Sequence, residues 1–175
     1  MRFLATELDR LRDEHRLRAL ELACGRDFTS NDYLGLARHP ELKRAALAAL
    51  DGEAPFGATA SRLLRGHHEA HEILETSAAR FFGHEKALYF GSGFMANFAL
   101  LSTLAGRPDA LVLDERAHAS LKEGAHAAPA QRYRARHNDV QSFADEIARA
   151  RKDGARQVYF AVESLYSMDG DFAPL

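Results

Sequence analysis

The sequence predicts an α/β fold with a mostly parallel sheet flanked by helices. From residue 87 onward, short apolar runs alternate with longer stretches of helical periodicity. This alternation is typical of parallel strands joined by helical crossovers. One run, residues 158–162, is apolar throughout, as expected for a strand that is covered on both faces. We therefore expect an α/β domain over 51–175, preceded by an N-terminal arm and first helices over 1–50.

The elements of the first half are predicted from spacing and from punctuating residues. Leucines recur at helical spacing near the N-terminus, which indicates an amphipathic segment. Proline is favoured in the first turn of a helix, and clustered glycine and proline mark loops. The predictions are an amphipathic arm or helix over 3–23, a turn over 31–35, a helix that starts at Pro40 and continues over 41–50, a loop over 51–66, and a helix over 67–82.

The second half is predicted to contain four strands with three helices between them. Each apolar run of four to six residues is assigned as a strand, and each longer periodic stretch as a helix. The predicted strands are 87–90, 110–113, 131–135 and 157–162. The predicted helices are 94–105, 118–127 and 139–152, and a turn over 168–171 follows the last strand.

Composition excludes several classes of protein. The net charge of −2 argues against a nucleic-acid binder that works through broad electrostatics. No apolar run approaches the roughly 20 residues of a membrane-spanning helix, and the N-terminus lacks the apolar core of a signal peptide. The single cysteine, Cys24, rules out an internal disulfide and is typical of a reducing compartment. We expect a cytoplasmic protein with neither a nucleic-acid nor a membrane partner.

A glycine turn is the most informative feature of the chain. The segment Gly91-Ser92-Gly93-Phe94 follows the predicted strand 87–90 and opens the predicted helix 94–105. The N-terminus of a helix holds free backbone N–H groups and about half a positive charge. Glycine lets the backbone approach an anion closely. This turn is therefore a candidate phosphate site, although glycines occur in such turns without any ligand.

Two further polar groups follow predicted strands. Residues 114–120 follow the strand 110–113, and residues 163–170 follow the strand 157–162. Because ligands of an open parallel sheet bind outside the C-terminal ends of its strands, we expect both groups and the glycine turn to meet at one edge. From its position, His118 is either a capping histidine or an aromatic face and proton carrier for a planar cofactor. Ser167 is either a turn residue or a donor to a ligand oxygen.

A histidine cluster at 67–71 invites comparison with metal sites. The zinc-protease pattern places two histidines four residues apart with a glutamate directly after the first. His68 and His71 are one residue too close for that pattern, whereas His67 and His71 have the right separation but no cysteine nearby in sequence. We expect no metal site, and a metal protein based on His67 and His71 stays an alternative.

Several motifs together resemble the α-oxoamine synthases, a group of pyridoxal-phosphate (PLP) enzymes. They run in family order and cover nearly the whole chain from about residue 28. The likeness is greatest to the members that join a pimeloyl thioester to alanine in biotin synthesis. The matching segments are Ser30-Asn31-Asp32-Tyr33-Leu34-Gly35-Leu36, Ser61-Arg62-Leu63 with Gly66, Ser92-Gly93-Phe94 with Asn97, His118-Ala119-Ser120, His137-Asn138-Asp139, and Glu163 with Ser167-Met168-Asp169-Gly170-Asp171.

The resemblance implies a fold, a cofactor and roles for individual residues. The fold would be that of PLP-dependent transferases of fold type I, which is aspartate aminotransferase-like. Gly93 and Phe94 would hold the cofactor phosphate. His118 would stack on the pyridine ring, contact the substrate and act in catalysis. Ser167 would contact the cofactor near its phenolic oxygen, and Asn31 would lie on the substrate side.

The implied reaction condenses an amino acid, here alanine, with a pimeloyl or other acyl thioester, with loss of carbon dioxide. The resemblance also implies a homodimer. It places the family's Schiff-base lysine and the aspartate that pairs with the pyridine nitrogen beyond Leu175, so the 175-residue chain alone is expected to be inactive. The alternatives are a related synthase that uses glycine or serine, and a non-catalytic α/β module that binds an anion or a partner.

Overall fold

The structure is a computed structural model that describes residues 2–20, 22, 24–52 and 57–175. Pro55, within the predicted loop 51–66, lies outside the described residues. The chain divides into two compact units, Met1–Thr59 and Ala60–Leu175. Among the described residues, no helix is both long and apolar enough to cross a membrane.

The first helix of the N-terminal unit is shorter than predicted. Helix α1 spans Arg2–Asp13, so a helix over the whole of the predicted arm or helix 3–23 is wrong for residues 16–20, while residues 21 and 23 lie outside the described residues. His15 adopts a left-handed conformation with φ of 54°, which turns the chain away from the helix axis. The N–H of Arg16 then donates to the carbonyl of Leu11 at 2.8 Å, and this hydrogen bond closes the helix end.

The turn and the second helix of this unit are confirmed. Gly35 has φ of 65° and precedes a 3-10 helix over Leu36–Arg38. The carboxylate of Asp32 accepts hydrogen bonds from the N–H groups of Leu36 and Ala37 at 2.7 and 3.1 Å, which satisfies donors that the short helix leaves free. Helix α2 spans Pro40–Leu50, with its proline in the first turn, as predicted.

The second unit begins with a π-helix over Arg62–Gly66, where the sequence predicted a loop. In this π-helix, the N–H of Gly66 donates to the carbonyl of Ser61 at 2.9 Å. The Arg62 guanidinium forms a two-pronged ion pair with Glu75 at 2.7 and 3.0 Å. Glu75 belongs to helix α3, Glu69–Phe82, so this ion pair ties the π-helix to α3.

The predicted strand 87–90 is not a strand in the structure. The segment forms no ladder of hydrogen bonds, because no described segment lies beside it as a neighbouring strand. The N–H of Tyr89 instead donates to the carboxylate of Glu75 at 2.7 Å. This bond anchors the segment to α3 directly before the glycine turn.

The rest of the unit alternates as predicted. Three parallel strands form one sheet in the order β2-β1-β3. The strands are β1 Ala110–Asp114, β2 Gln131–Ala135 and β3 Val158–Ala161. The helices are α4 Gly93–Leu104, α5 Ala119–Ala127 and α6 Val140–Lys152.

The core lies on both faces of β1, the central strand. Alternate side chains of a strand point to opposite faces, and every residue of β1 is buried. Leu111 and Leu113 pack in a cluster with residues of α4 and α5. Ala110 and Val112 pack in a second cluster with residues of α6. The sheet is therefore flanked by helices on both faces, as the fold class requires.

Strand β3 departs from its prediction in one respect. Its apolar sequence predicted a strand covered on both faces, but its side chains are only half-buried and Phe160 is 56% exposed. The cause is its position at the edge of the three-stranded sheet, where fewer neighbours cover it than cover β1.

Candidate functional site

The candidate site lies at the edge where the three parallel strands end. Strand β1 ends at Asp114, β2 at Ala135 and β3 at Ala161. The polar groups predicted after β1 and β3 therefore share one edge of the sheet, where open α/β sheets bind ligands.

His118 occupies the N-cap position of α5 and is exposed. Its Nδ1 accepts a hydrogen bond from the backbone N–H of Ser120 at 3.1 Å and lies 2.8 Å from the Ser120 hydroxyl oxygen. The backbone N–H of His118 donates to the carboxylate of Glu163. The backbone N–H and the Nδ1 atom of His118 are thus both held by hydrogen bonds, while the residue is exposed at the edge of the sheet.

A second contact joins the loops after β1 and β3. The guanidinium of Arg116 forms an ion pair with the carboxylate of Asp169. Together with the bond between His118 and Glu163, this pair shows that the two polar groups meet, as the sequence predicted.

Helix α4 brings the glycine turn into the same neighbourhood. Ser92 caps the helix, since its hydroxyl accepts from the N–H of Met95 at 3.2 Å. The amide Nδ2 of Asn97, one turn further along α4, donates to the Ser120 hydroxyl at 3.0 Å. A chain of contacts thus runs from the glycine turn to His118.

Helices α4 and α5 approach closely because Gly124 has no side chain. A Cβ at Gly124 would lie 3.0 Å from the carbonyl oxygens of Asn97 and Phe98, which is tighter than an ordinary van der Waals contact. The glycine therefore keeps Asn97 within reach of Ser120.

A partly buried network centred on Asp114 lies behind these surface residues. The ring of His137 bridges two carboxylates, with Nδ1 2.9 Å from Asp114 and Nε2 3.0 Å from Asp171. Asn138, held at a φ of 50°, donates its backbone N–H to Asp114 at 3.0 Å and its amide to Asp171 at 2.7 Å. The network ties the end of β1 to the chain that follows β3.

The network shifts the ionisation of its members. Burial by itself would raise the pKa of Asp114, but hydrogen bonds from the N–H groups of Asn138 and Arg116 and from His137 lower it below its ordinary value. The hydrogen bond to Asp114, together with its charge and that of Asp171, raises the pKa of His137. Burial raises the pKa of the neighbouring Tyr166 to about 12. The structure therefore favours an imidazolium between two carboxylates.

Ser167 is exposed in the turn between the last two segments of the chain. The turn is closed by hydrogen bonds from the N–H of Gly170 to Tyr166 at 2.8 Å and from the N–H of Tyr166 to Asp171 at 2.9 Å. Asn31 is exposed in the N-terminal unit. The roles predicted for Ser167 and Asn31 stay predictions.

Comparison with known proteins identifies the family. The family described as aminotransferase class I and II matches residues 26–175. The chain belongs to that family. The 8-amino-7-oxononanoate synthase of Chromobacterium violaceum is 43% identical over 185 aligned positions, which cover 98% of this chain and 47% of that protein. The 2-amino-3-ketobutyrate coenzyme A ligase of Escherichia coli (strain K12) is 41% identical over 149 positions, covering 85% of this chain and 37% of that protein.

A solved structure matches the fold. Serine palmitoyltransferase from S. paucimobilis, with a bound PLP–myriocin aldimine, superposes with a TM-score of 0.80 at 30% identity, covering 98% of this chain and 47% of that one. The resemblance to α-oxoamine synthases and the expected fold type I are thereby confirmed. The chain spans less than half the length of each of these three relatives.

Sequence reasoning placed several residues of the candidate site in motifs without assigning them a site role. They are Ser120, Asn97, His137, Asn138 and Glu163, and Asp114 lay only in the polar group 114–120. The motif order could identify them as family residues, but their contacts join positions between 23 and 45 residues apart. Spacing along one helix or strand carries no signal for such contacts.

The histidine cluster of this family member makes contacts at the start of α3 and also reaches Arg62, whose guanidinium lies 3.3 Å from His67 Nδ1. His71 Nδ1 accepts from the N–H of His68 at 3.2 Å, and the rings of His67 and His71 stack with centroids 5.7 Å apart. His67 Nε2 lies 3.1 Å from a carboxylate oxygen of Glu72. These contacts account for the cluster as a helix cap.

A further acidic group, His137, Asp169 and Asp171, has potential ligand atoms within 4.8 Å of one another. Each of these side chains already has a protein partner. His137 Nε2 hydrogen-bonds to Asp171, and Asp169 forms an ion pair with Arg116. Hydrogen bonding and ion pairing explain the proximity.

Proposed function

We propose that this chain is part of a PLP-dependent acyltransferase that condenses an amino acid with an acyl thioester. The observation that carries the proposal is the joining of His118 to the glycine-turn helix α4, through Ser120 and Asn97, at the C-terminal edge of a parallel sheet. This arrangement sets an exposed aromatic ring and a candidate phosphate site in fixed relation to each other.

The start of α4 fits a phosphate. Gly93 and Phe94 occupy the first turn, where backbone N–H groups have no partner within the helix. Within the described part of the chain, neither of these two N–H groups donates a hydrogen bond. No atom lies within 4 Å of the place that a Cβ on Gly93 would occupy, so an anion can approach the backbone. Gly93 and Phe94 would hold the phosphate.

His118 fits the role of a ring-stacking residue. It is exposed, yet its backbone N–H is bound by Glu163 and its Nδ1 by Ser120. The ring therefore offers its face to a planar group without having to be ordered on binding, which lowers the entropic cost of stacking. Ser167, across the same edge, would contact the cofactor, and Asn31 would lie on the substrate side.

When bound, PLP supplies an electron sink for a carbanion at the amino-acid Cα. The residues of this chain would orient that chemistry: α4 fixes one end of the cofactor and His118 fixes its plane. When the plane of the cofactor ring is fixed, the Cα bond that lies perpendicular to that plane is the one that breaks.

The substrate assignment is an amino acid, specifically alanine, and a pimeloyl thioester, with decarboxylation. Two relatives have names that place an amino carbon beside a keto carbon, 8-amino-7-oxononanoate and 2-amino-3-ketobutyrate, and a third is named for serine and a palmitoyl group. A condensation of an amino acid with an acyl group accounts for all three. Glycine or serine in place of alanine is the alternative within this reaction class.

The assembly proposed for the complete protein is a homodimer, which the family resemblance supports. The proposed location is the cytoplasm, which the single cysteine supports. Residues that this chain does not contain would supply the lysine that links to PLP. The chain alone is accordingly proposed to be inactive.

The test uses the complete natural protein. Borohydride reduction followed by intact-mass measurement should reveal one pyridoxyl adduct per subunit, and amino-acid competition should rank alanine against glycine and serine. His118→Ala should reduce kcat by at least about 100-fold while the circular dichroism spectrum stays unchanged. Absence of an adduct, or unchanged turnover in His118→Ala, would contradict the proposal.

A further inference from the structure

Ser120 lies at a junction of contacts that the family motif does not explain. It is completely buried, with 0% of its surface exposed, although it belongs to the first turn of a helix. Its hydroxyl lies 2.8 Å from Nδ1 of His118 and 3.0 Å from the amide Nδ2 of Asn97. A buried hydroxyl between two polar side chains has a defined direction of donation, because each unpaired polar atom would carry a cost.

The backbone makes the first contribution to the proton position on His118. The N–H of Ser120 points at Nδ1 of His118 at 3.1 Å, and a backbone N–H can only donate. This donor favours Nδ1 as the acceptor and therefore favours the proton of the neutral ring on Nε2, without excluding the other tautomer.

Asn97 decides the direction of the Ser120 hydroxyl. The Asn97 amide group donates to the hydroxyl oxygen, so the hydroxyl hydrogen is free to point toward Nδ1. Nδ1 then receives two donors from one residue, the N–H and the O–H of Ser120.

We propose that Ser120 and Asn97 are positioning residues that hold His118 as its Nε2–H tautomer. The ring then turns its acceptor atom into the protein and presents a donor at the sheet edge. This inference about the tautomer rests on the contacts alone, whereas its use in holding a cofactor or substrate rests on the proposed function.

The arrangement also couples two parts of the site. Asn97 lies one turn beyond Gly93 on α4, and Gly124 allows the close approach of α4 and α5. The helix proposed to bind the phosphate therefore also sets the orientation and protonation of His118.

The experiment is two-bond ¹H–¹⁵N correlation NMR on the intact protein labelled with ¹⁵N-histidine, without added cofactor. The His118 signals are assigned by their loss in His118→Gln. The wild type should show the Nε2–H pattern. Ser120→Ala removes one donor to Nδ1 and should raise the share of the Nδ1–H tautomer by about threefold to tenfold, the ratio expected for one hydrogen bond.

Asn97→Asp provides a second variant of nearly the same shape. The introduced carboxylate accepts the Ser120 hydroxyl hydrogen and leaves the hydroxyl oxygen to accept from Nδ1. This variant should also raise the Nδ1–H share. Ser142→Ala is the matched control, because Ser142 is likewise a buried serine in the first turn of a helix, and its hydroxyl accepts from the N–H of Arg136 at 2.9 Å. The control should leave the His118 pattern unchanged.

An Nδ1–H tautomer in the wild type overturns the proposal, as does a pattern unchanged in Asn97→Asp, or a control that shifts as far as the variants. The proposed function can fail separately. If the tautomer shifts as expected but borohydride leaves no adduct on the complete protein, the positioning inference stands and the PLP assignment falls.

Discussion

The Nδ1 atom of His137 lies 2.9 Å from the carboxylate of Asp114, which is completely buried as a side chain. The other ring nitrogen of His137 lies 3.0 Å from Asp171. A neutral imidazole has only one N–H and cannot donate to both carboxylates, whereas an imidazolium can. The contact therefore makes the segment around Asp171, which follows β3, dependent on the protonation of His137, which follows β2.

The first prediction concerns the pH dependence of stability. The pKa of His137 is raised in the folded protein, chiefly by the hydrogen bond to Asp114. Its stabilising contribution is then complete below the unfolded pKa of about 6.5 and is lost as the pH rises through the folded pKa. His137→Gln should lower the free energy of unfolding most below about pH 6.5, and the difference from wild type should shrink at higher pH. Urea melts over a pH series measure it.

The control for this prediction is His126→Gln, since His126 is an exposed histidine on α5. Its effect on the free energy of unfolding should be small. At the acid end, the lowered pKa of Asp114 means that its contribution is present above the unfolded pKa of about 3.9 and is lost as the pH falls through the folded value. A His137→Gln difference that stays constant from about pH 5 to pH 9 would rule out the imidazolium bridge.

The second prediction concerns Glu163, whose carboxylate accepts the backbone N–H of His118 from a position 45 residues away. Glu163→Ala removes this acceptor and frees the start of α5 to move. Because small displacements of a positioned group reduce turnover strongly, kcat of the proposed acyltransferase should fall between about 10-fold and 100-fold. Glu163→Gln keeps an acceptor oxygen and should retain most of the activity.

Glu123→Ala serves as the matched control, because Glu123 is an exposed glutamate on α5, the helix that His118 caps. Its turnover should equal that of the wild type. Equal losses in Glu163→Ala and Glu163→Gln would show that the carboxylate charge, and not the anchoring of His118, is what matters.

Local sequence signals predicted those elements whose causes are local. Pro40 marked the start of α2, and the alternation after residue 110 gave the strands and helices around the sheet. The convergence of the polar groups could also be predicted, because parallel strands of one sheet end at a common edge.

The failures have long-range causes. The apolar segment 87–90 has strand composition, but a strand needs a neighbour, and the neighbour is not determined by the segment itself. The apolar run of β3 did not reveal that β3 lies at an edge. The π-helix at 62–66 arises from a close backbone approach that Gly66 permits, and glycine alone predicts only a loop.

The contacts that orient the residues of the candidate site could not be predicted from the sequence for the same reason. His118 could be picked out by its motif, but its anchors lie on other elements: Asn97, which reaches it through Ser120, is on α4, and Glu163 follows β3. Each anchor requires the packing of two elements before its side chain has a partner.

The last prediction concerns Gly66. A Cβ at this position would lie 1.8 Å from the carbonyl oxygen of Ala60 and 2.8 Å from its carbonyl carbon. Backbone atoms cannot rotate aside as a flexible side chain can, so Gly66→Ala must unwind the π-helix and disturb the ion pair between Arg62 and Glu75. We expect a loss of about 3 kcal/mol in the free energy of unfolding, at the upper end of overpacking effects, measured by urea denaturation.

Gly57→Ala is the matched control for Gly66→Ala. No atom lies within 4 Å of the place that a Cβ on Gly57 would occupy, and its φ is not in the left-handed range. The control should change the free energy of unfolding by no more than about 0.5 kcal/mol, or stabilise the protein slightly by restricting the unfolded chain. If Gly66→Ala proved as mild as Gly57→Ala, the close approach of Gly66 to Ala60 would not exist in solution, and the π-helix would have no structural cause.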